Sequence, residues 1–308
     1  MAKATTRALS SAPPTVEELY FRSDSAYLCL VLNRRTKLVR VIDFRAGALP
    51  AKRLYIQSVA KQEGVIKVLT LVEKDEVSSW TRVGFVREGT IPGFYKRSDG
   101  HLCGCVIGDK TASIACSDAD VRLAERTIHA AKKRAREDFA GVAKDPILRD
   151  VDAATAEAAR DAAWAEGLAV GTFDRFERDA ERAYFDAPAR RGEPNYLSTE
   201  YQDCFGHSLI EVLRSPADDA TLVATIAGLE QLGESLMNRG IVSAFAFAPS
   251  DDVPLGTAFT AAGYRRTGLL AQGIVVGEER KDAILWTRKL ANPAADSDDE
   301  EEEEEEEE

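Results

Sequence analysis

The sequence predicts a mixed α/β fold, an α+β mixed sheet made of two modules, the first truncated, joined by a helical segment. Three observations carry this. The stretch "GFVREGTIPGFYKRSDGHLCG", starting at Gly84, returns in cadence as "GYRRTGLLAQGIVVGEERKDAILW", starting at Gly263. Ahead of each lies the same order of helix, apolar run, short helix and glycine, and a repeat of that length is the first thing to settle about an architecture. Between the two, the composition turns alanine-rich and helical.

In the first module "LYIQSVAKQEG" predicts a helix, "VIKVLTLV" (65–72) a strand, and "DEVSSWTRVGF" a short helix ending at Gly84. In the second, "LEQLGESLMNRG" predicts a helix, "IVSAFAFA" (241–248) a strand, and "LGTAFTAAGY" a short helix ending at Gly263. Both strands are continuous apolar runs, the pattern of a central strand covered on both faces. Leu222, Ile226, Leu229, Leu232 and Leu236 recur every three or four residues along one helical face. Gly64, Gly84, Gly240 and Gly263 stand where a left-handed residue stops a helix. Phe85 and Tyr264 then open the antiparallel strands that follow.

In the middle, Ser117 with Asp120 predicts a capped helix start. Val121, Ala124, Ile128, Ala131, Ala135 and Val142 form its apolar stripe, with Lys132, Lys133, Arg134 and Arg136 facing outward. Such a basic face is more often solvated than bound to nucleic acid, and the interleaved aromatics of a nucleic-acid platform are absent. After Pro146, "ILRDVDAATAEAARDAAWAEG" predicts a short strand and an amphipathic helix stopped at Gly167. A second helix is expected over "TFDRFERDAERAYF", and turns with at least one strand over "RRGEPNYLSTEYQDCFGHSLIEVLRSP". The expected organisation is a disordered leader (1–15), the truncated module (16–112), a helical linker (113–144), the fuller module (145–290) and an acidic tail (291–308).

The 308 residues suffice for two domains. The net charge of −12 is a property of the tail: without the twelve acids Asp296, Asp298, Asp299 and Glu300 to Glu308, 40 acids face 40 Lys and Arg. A like-charge run is expected to stay disordered. It could engage a basic partner, mimic nucleic-acid charge or keep the protein soluble. Five cysteines, an odd number without an apolar secretory segment, predict reduced thiols in a cytoplasmic setting. The basic start "MAKATTRALSSAPP" resembles an organelle transit segment weakly and fits a disordered leader. No apolar run approaches the roughly 20 residues of a membrane helix. His101, Cys103, Cys105 and Cys116 match no standard zinc spacing, so no metal is expected. Trp80, Trp164 and Trp286 are expected in cores or at the interface between modules.

The order of elements, carried by "ILRDVDAATAEAARDA", "LMNRGIVSAFAFA" and "GTAFTAAGYRRTGLL", resembles the GNAT acetyltransferase fold. "GFVREGTIPGFYKRSDG" resembles the N-terminal half of β-lysine N-acetyltransferases, in which a truncated GNAT-like domain precedes a complete one. The resemblance spans most of residues 16–290 and implies acetyl transfer from acetyl-CoA to an amine. It places a base at Glu211, with Asp43 as its counterpart in the first module, and the CoA pyrophosphate on the backbone near Leu213, Arg214 and Ser215. For both carboxylates the plainer alternative is a strand-end charge facing water.

Several positions depart from the family. "RSPADDATLVA" has no glycine and sets Asp218 and Asp219 at the phosphate loop, where their plainer role is helix capping. "FRAGALPAK" keeps Arg45 and Gly47, but Pro50 removes a donor. The tyrosine acid of the family is replaced by Phe259 and Trp80, although phenylalanine also occurs there in β-lysine acetyltransferases. A nearby asparagine of that family is replaced by Gly256. Two functions therefore stand: an acetyl-CoA-dependent N-acetyltransferase acting on a small-molecule or protein amine, or a catalytically inactive scaffold whose tail contacts a basic protein. Neither involves a membrane or direct nucleic-acid binding.

Overall fold

The computed structural model describes residues 13–24, 26–44, 47–108, 115–140, 148–189, 193–202 and 205–291. The leader, Arg45, Val142 and the acidic tail lie outside them. The first half contains β1 (Val16–Arg22), β2 (Tyr27–Asn33), β3 (Leu38–Asp43), α1 (Leu49–Gln62), β4 (Lys67–Val72), α2 (Val77–Arg82), β5 (Val86–Ile91) and β6 (Gly100–Val106). Helix α3 (Asp118–Asp138) follows. The second half contains β7 (Arg149–Val151), α4 (Ala153–Ala165), β8 (Glu181–Ala187), β9 (Asn195–Tyr201), β10 (His207–Val212), α5 (Asp219–Met237), β11 (Ser243–Pro249), α6 (Val253–Ala261), β12 (Arg265–Val276) and β13 (Glu279–Lys289).

These strands form one mixed sheet in the order β1-β2-β3-β4-β6-β5-β12-β13-β11-β10-β9-β8-β7. Followed inward from either side, the pattern recurs: antiparallel strands, three on the β1 side and four on the β7 side, then a parallel neighbour and an antiparallel final pair. The two parallel pairs are β3 with β4 and β10 with β11. Each is bridged by a helix, α1 or α5, as a parallel connection requires. The apolar runs of β4 and β11 are covered on both faces. Val68 packs with Leu30, Val41, Ile56 and Trp80 in one core. Ala244 and Ala246 pack with Ile210, Leu222, Ile226 and Leu229 in another. On the opposite face Leu69, Leu71, Leu209, Phe245, Leu270 and Leu285 form a core shared by the two halves.

The local signals that end the helices are the same in both halves. Gly64, Gly84, Gly240 and Gly263 have φ of 64°, 98°, 76° and 83°. The aromatic after each second glycine folds back edge-on to the short helix: Phe85 lies 4.9 Å from Trp80 and Tyr264 lies 5.3 Å from Phe259. Helix α3 begins with a capping box in which Ser117 and Asp120 satisfy each other's backbone N–H groups. Its buried Ala124, Ile128, Ala131 and Ala135 lie inward, and Ala131 would stand 3.3 Å from a Cβ on Gly256 of α6.

The helix expected over "TFDRFERDAERAYF" is not formed. Residues 171–180 are irregular, and 181–187 are β8, paired in register with β9. Carboxylates from neighbouring strands take the backbone donors that a helix would need. Glu211 accepts from the N–H of Thr172 at 2.9 Å, and Glu200 from those of Phe176 at 3.1 Å and Glu177 at 2.6 Å. Helical spacing is a weak prior that tertiary context overrides.

The halves meet where β5 runs antiparallel to β12, with Gly89 opposite Gly268. Next to this pair Glu88 is buried, accepts from Lys67 Nζ at 2.6 Å, and accepts the N–H of Ala271 in β12 at 3.1 Å. The carboxylate of one half thus completes the backbone bonding of the other. A Cβ on Gly268 would lie 2.7 Å from the Cα of Gly89, so the seam closes only around glycine. We predict that Gly268→Ala destabilises the protein by about 1–3 kcal/mol through overpacking, read as a lower denaturation midpoint; an unchanged midpoint would show that the seam can open without cost.

Candidate functional site

Both parallel pairs are incomplete. β10 pairs with β11 only from His207↔Ser243 to Leu209↔Phe245, although the strands continue to Val212 and Pro249. β3 pairs with β4 only from Leu38↔Lys67 to Val41↔Thr70, although they continue to Asp43 and Val72. Each ladder stops early and leaves a cleft, with Glu211 on the unpaired end of β10 and Asp43 on that of β3.

Each cleft looks onto the other half. A narrow cavity of about 80 Å³ at the second cleft is lined by Leu209, Glu211 and Phe247, and across from them by Val31, Leu38 and Arg40. A cavity of about 570 Å³ at the first cleft is lined by Ile42, Asp43 and Leu71, and across from them by Gln202, Phe205 and His207.

Neither carboxylate faces water as a free strand-end charge. Glu211 Oε2 meets Arg182 Nη1 at 2.5 Å, with the two side chains 15% and 9% exposed. Arg182 also donates to Glu200, to the Ser198 hydroxyl at 2.8 Å and to the Asp174 carbonyl at 2.7 Å. Burial alone would pull the Arg182 pKa down; Glu211 and Glu200 outweigh it and hold the pKa above its ordinary value. In the first half, Asp43 is 7% exposed and receives Lys52 Nζ of α1 at 2.7 and 2.6 Å, with Lys52 fully buried. The sequence reading missed Arg182 because it lies in the stretch read as helix, where its strand face could not be assigned.

Residues 168–177 form a strap from the second cleft to the first half. The N–H of Val170 donates to the Leu213 carbonyl at 2.7 Å, and Thr172 donates to Glu211. Beyond them Asp174 accepts from Asn33 at 3.1 Å and Arg35 at 3.0 Å, and Glu177 pairs with buried Arg40 at 2.9 Å. Burial raises the pKa of both acids, against the pull of Arg35 on Asp174 and of Arg40 on Glu177.

The turn expected to hold a pyrophosphate has its groups engaged. Leu213 donates to the Tyr196 carbonyl at 2.8 Å, and the Arg214 backbone exchanges bonds with the Asn195 side chain at 3.3 and 2.9 Å. The Arg214 guanidinium meets Glu166 at 3.1 Å, and the Ser215 hydroxyl donates to Asp252 at 2.8 Å. Asp218 caps α5 through the Thr221 N–H at 2.8 Å, which holds its pKa down, and Asp219 reaches Arg134 of α3 at 2.6 Å. An incoming phosphate would compete with Asp218 for those helix donors.

Phe259 and Trp80 are buried core side chains with no proton to give. Gly256 packs against Ala131 and Trp286. The His101 ring lies 3.3 Å from the Thr90 hydroxyl, and Cys103 belongs to the first half's core. Among the described residues no group of three His, Cys, Asp or Glu is placed to hold a metal. In the wall of the first cleft, His207 stacks on Phe94 at 3.6 Å and its Nδ1 lies 3.0 Å from the Phe94 carbonyl. Burial pushes this imidazole down to about 4.

No known family's sequence profile matches the chain, and no curated protein matches it. Among solved structures it is similar to spermidine N-acetyltransferase from Vibrio cholerae in complex with CoA and spermine, at 8% identity over 49% of this chain and 99% of that one, TM-score 0.37. It is similar to a probable acetyltransferase of the GNAT family from Chromobacterium violaceum, at 20% identity over 48% and 87%, TM-score 0.35. A third likeness is to a ribosomal-protein alanine N-acetyltransferase from Escherichia coli, at 11% identity over 47% and 94%, TM-score 0.34. These are likenesses over about half of this chain, at identities and scores too low to carry a cofactor or a substrate across. No helix among the described residues is long and apolar enough to cross a membrane.

Two predictions test the site. Arg182→Met should cost about 3–5 kcal/mol because it leaves buried carboxylates without their cation; Glu211→Gln should cost far less, since Glu200 still neutralises the guanidinium. Equal losses in denaturant titrations would contradict this ranking. For His207, the unfolded chain takes up a proton near pH 6.5 and the folded chain only near 4. Stability contributed by the neutral ring is complete above pH 6.5 and is lost as pH falls from there to about 4, by roughly 3 kcal/mol. His207→Asn, which keeps a donor for the Phe94 carbonyl, should flatten that slope; an unchanged slope would place the titration elsewhere.

Proposed function

We propose that the chain is a tandem of GNAT-derived modules, bounded as the sequence analysis expects, whose clefts have been closed and which works as a binding scaffold. The recurring strand order, the Gly-aromatic turns and the two interrupted parallel ladders support the common origin of the halves. The observation that carries the loss of transfer is the arrangement at Glu211. A base must leave a carboxylate oxygen open to the incoming amine. Here Oε2 lies on Arg182 and Oε1 on the Thr172 N–H, beneath the strap. In the first cleft Lys52 engages both oxygens of Asp43. A scaffold of this kind would meet its partners through its surface, the acidic tail offering charge for a basic protein in the cytoplasm.

A second reading is an acetyl-CoA-dependent N-acetyltransferase of the β-lysine type, and one observation favours it: the ladder between β10 and β11 is open, with Glu211 lining a cavity beside it. In that reading the strap leaves the cleft, frees Glu211 and the Leu213 carbonyl, and the backbone of Leu213, Arg214 and Ser215 receives CoA. The amine lies on the side facing the first half. Calorimetric titration with acetyl-CoA and CoA, beside a CoA-release assay with spermidine, lysine and β-lysine, separates the two. We expect neither binding heat nor turnover; micromolar binding with turnover that collapses in Glu211→Gln would establish the transferase.

A further inference from the structure

A groove of about 900 Å³ runs between α3 and the start of β12, lined by Lys132, Arg136, Phe139, Tyr264, Arg265 and Arg266 among others, with no carboxylate among the described residues of its wall. Lys132, Arg265 and Arg266 are exposed, and among the described residues no carboxylate lies within ion-pair distance of them. Arg136 has Glu137 at 3.3 Å on its outer side and remains 79% exposed. Two polar groups in the groove wall lack partners: the hydroxyl of Tyr264, 2% exposed, and that of Thr260. The groove is therefore rich in donors and positive charge, and among the described residues only Glu137 answers any of its cations.

We propose that its occupant is the acidic C-terminal segment of the same chain, Asp296 to Glu308. Strand register places the segment's origin at the groove's edge: Arg265 lies opposite Thr287 and Arg266 opposite Trp286, and β13 ends at Lys289. Four residues separate Ala291 from Asp296, five steps of chain with a reach of up to about 17 Å when extended. Twelve carboxylates thus start within a short tether of four clustered cations. Like charges along the segment repel one another, and the groove is where that repulsion is relieved. A short tether holds the segment at an effective concentration on the order of millimolar, so even weak docking in cis excludes a competitor from solution. This holds whether or not the clefts are catalytic.

The test uses the full chain and a fluorescent nonaglutamate peptide as probe. Changing Glu300 to Glu308 to glutamine should free the groove and tighten probe binding about tenfold. Adding Arg265→Glu with Arg266→Glu should then abolish it. On the unaltered chain, carbodiimide should join Lys132 to tail carboxylates within monomers, leave Lys61 of α1 unjoined, and fail at about 0.5 M salt, where exposed charges are screened. Equal probe binding by the unaltered and glutamine chains, or the absence of a Lys132 cross-link within monomers, would overturn the proposal. So would a single-stranded oligonucleotide that binds both chains equally tightly, which would assign the groove to nucleic acid.

Discussion

Arg182 carries a positive charge where water barely reaches, and the inner side of the second half is arranged around it. A buried charge without partners costs several kcal/mol, and four acceptors meet the two terminal nitrogens of the guanidinium, while its buried Nε is left without one. Glu211 and Glu200 supply the charge, Ser198 and the Asp174 carbonyl the remaining acceptors. Glu200 then has oxygens left for the N–H groups of Phe176 and Glu177. That draws the strap against the sheet and delivers Glu177 to Arg40 and Asp174 to Arg35 on the other half. Each pair makes the next one possible. In a low-dielectric interior each bond of such a network is strengthened by its neighbours.

The two clefts show how the same opening can be closed in different ways. A parallel pair whose ladder stops early exposes backbone donors and acceptors that something must cover. In the first half the closing cation, Lys52, comes from α1, nine residues after Asp43 in the chain. In the second it comes from β8, and the cover is the strap, which also borrows partners from the first half. The first closure is local. The second depends on both halves sharing one sheet, and so on Glu88, whose carboxylate accepts a backbone N–H across the seam.

What could be read from the sequence follows the same division. The apolar runs of β4 and β11, the glycines that stop four helices, the capping box of α3 and the uselessness of Phe259 and Trp80 as acids all have short-range causes. They are visible in a window of a few residues. The network around Arg182 joins residues far apart: Arg40 and Glu177 are separated by 137 positions. Composition and periodicity say nothing about such pairs, and helical spacing over residues 172–185 pointed the wrong way because its donors answer to distant carboxylates. Strands β1 and β2 also went unassigned, although β2 is buried from Leu28 to Asn33. Glu211 was singled out by its place on a strand end; its partners were not.

The charge distribution sharpens the case for a docked C-terminal segment. With 40 acids and 40 bases outside Asp296 to Glu308, the rest of the chain has no net attraction for a polyanion. At physiological ionic strength charges more than about 8 Å apart scarcely feel one another, so a neutral average neither recruits nor repels the segment. Only a local imbalance can hold it. Some cations of the described chain sit beside acids, as Arg134 does beside Asp219 and Lys281 beside Asp251. Lys132, Arg265 and Arg266 do not, and the last two are brought to Lys132 by the turn at Gly263 that also sets Tyr264 beneath them. The repeated Gly-aromatic turn, which in the first half leads to Val86 and Arg87, in the second half presents two arginines at the place where the acidic segment leaves the sheet.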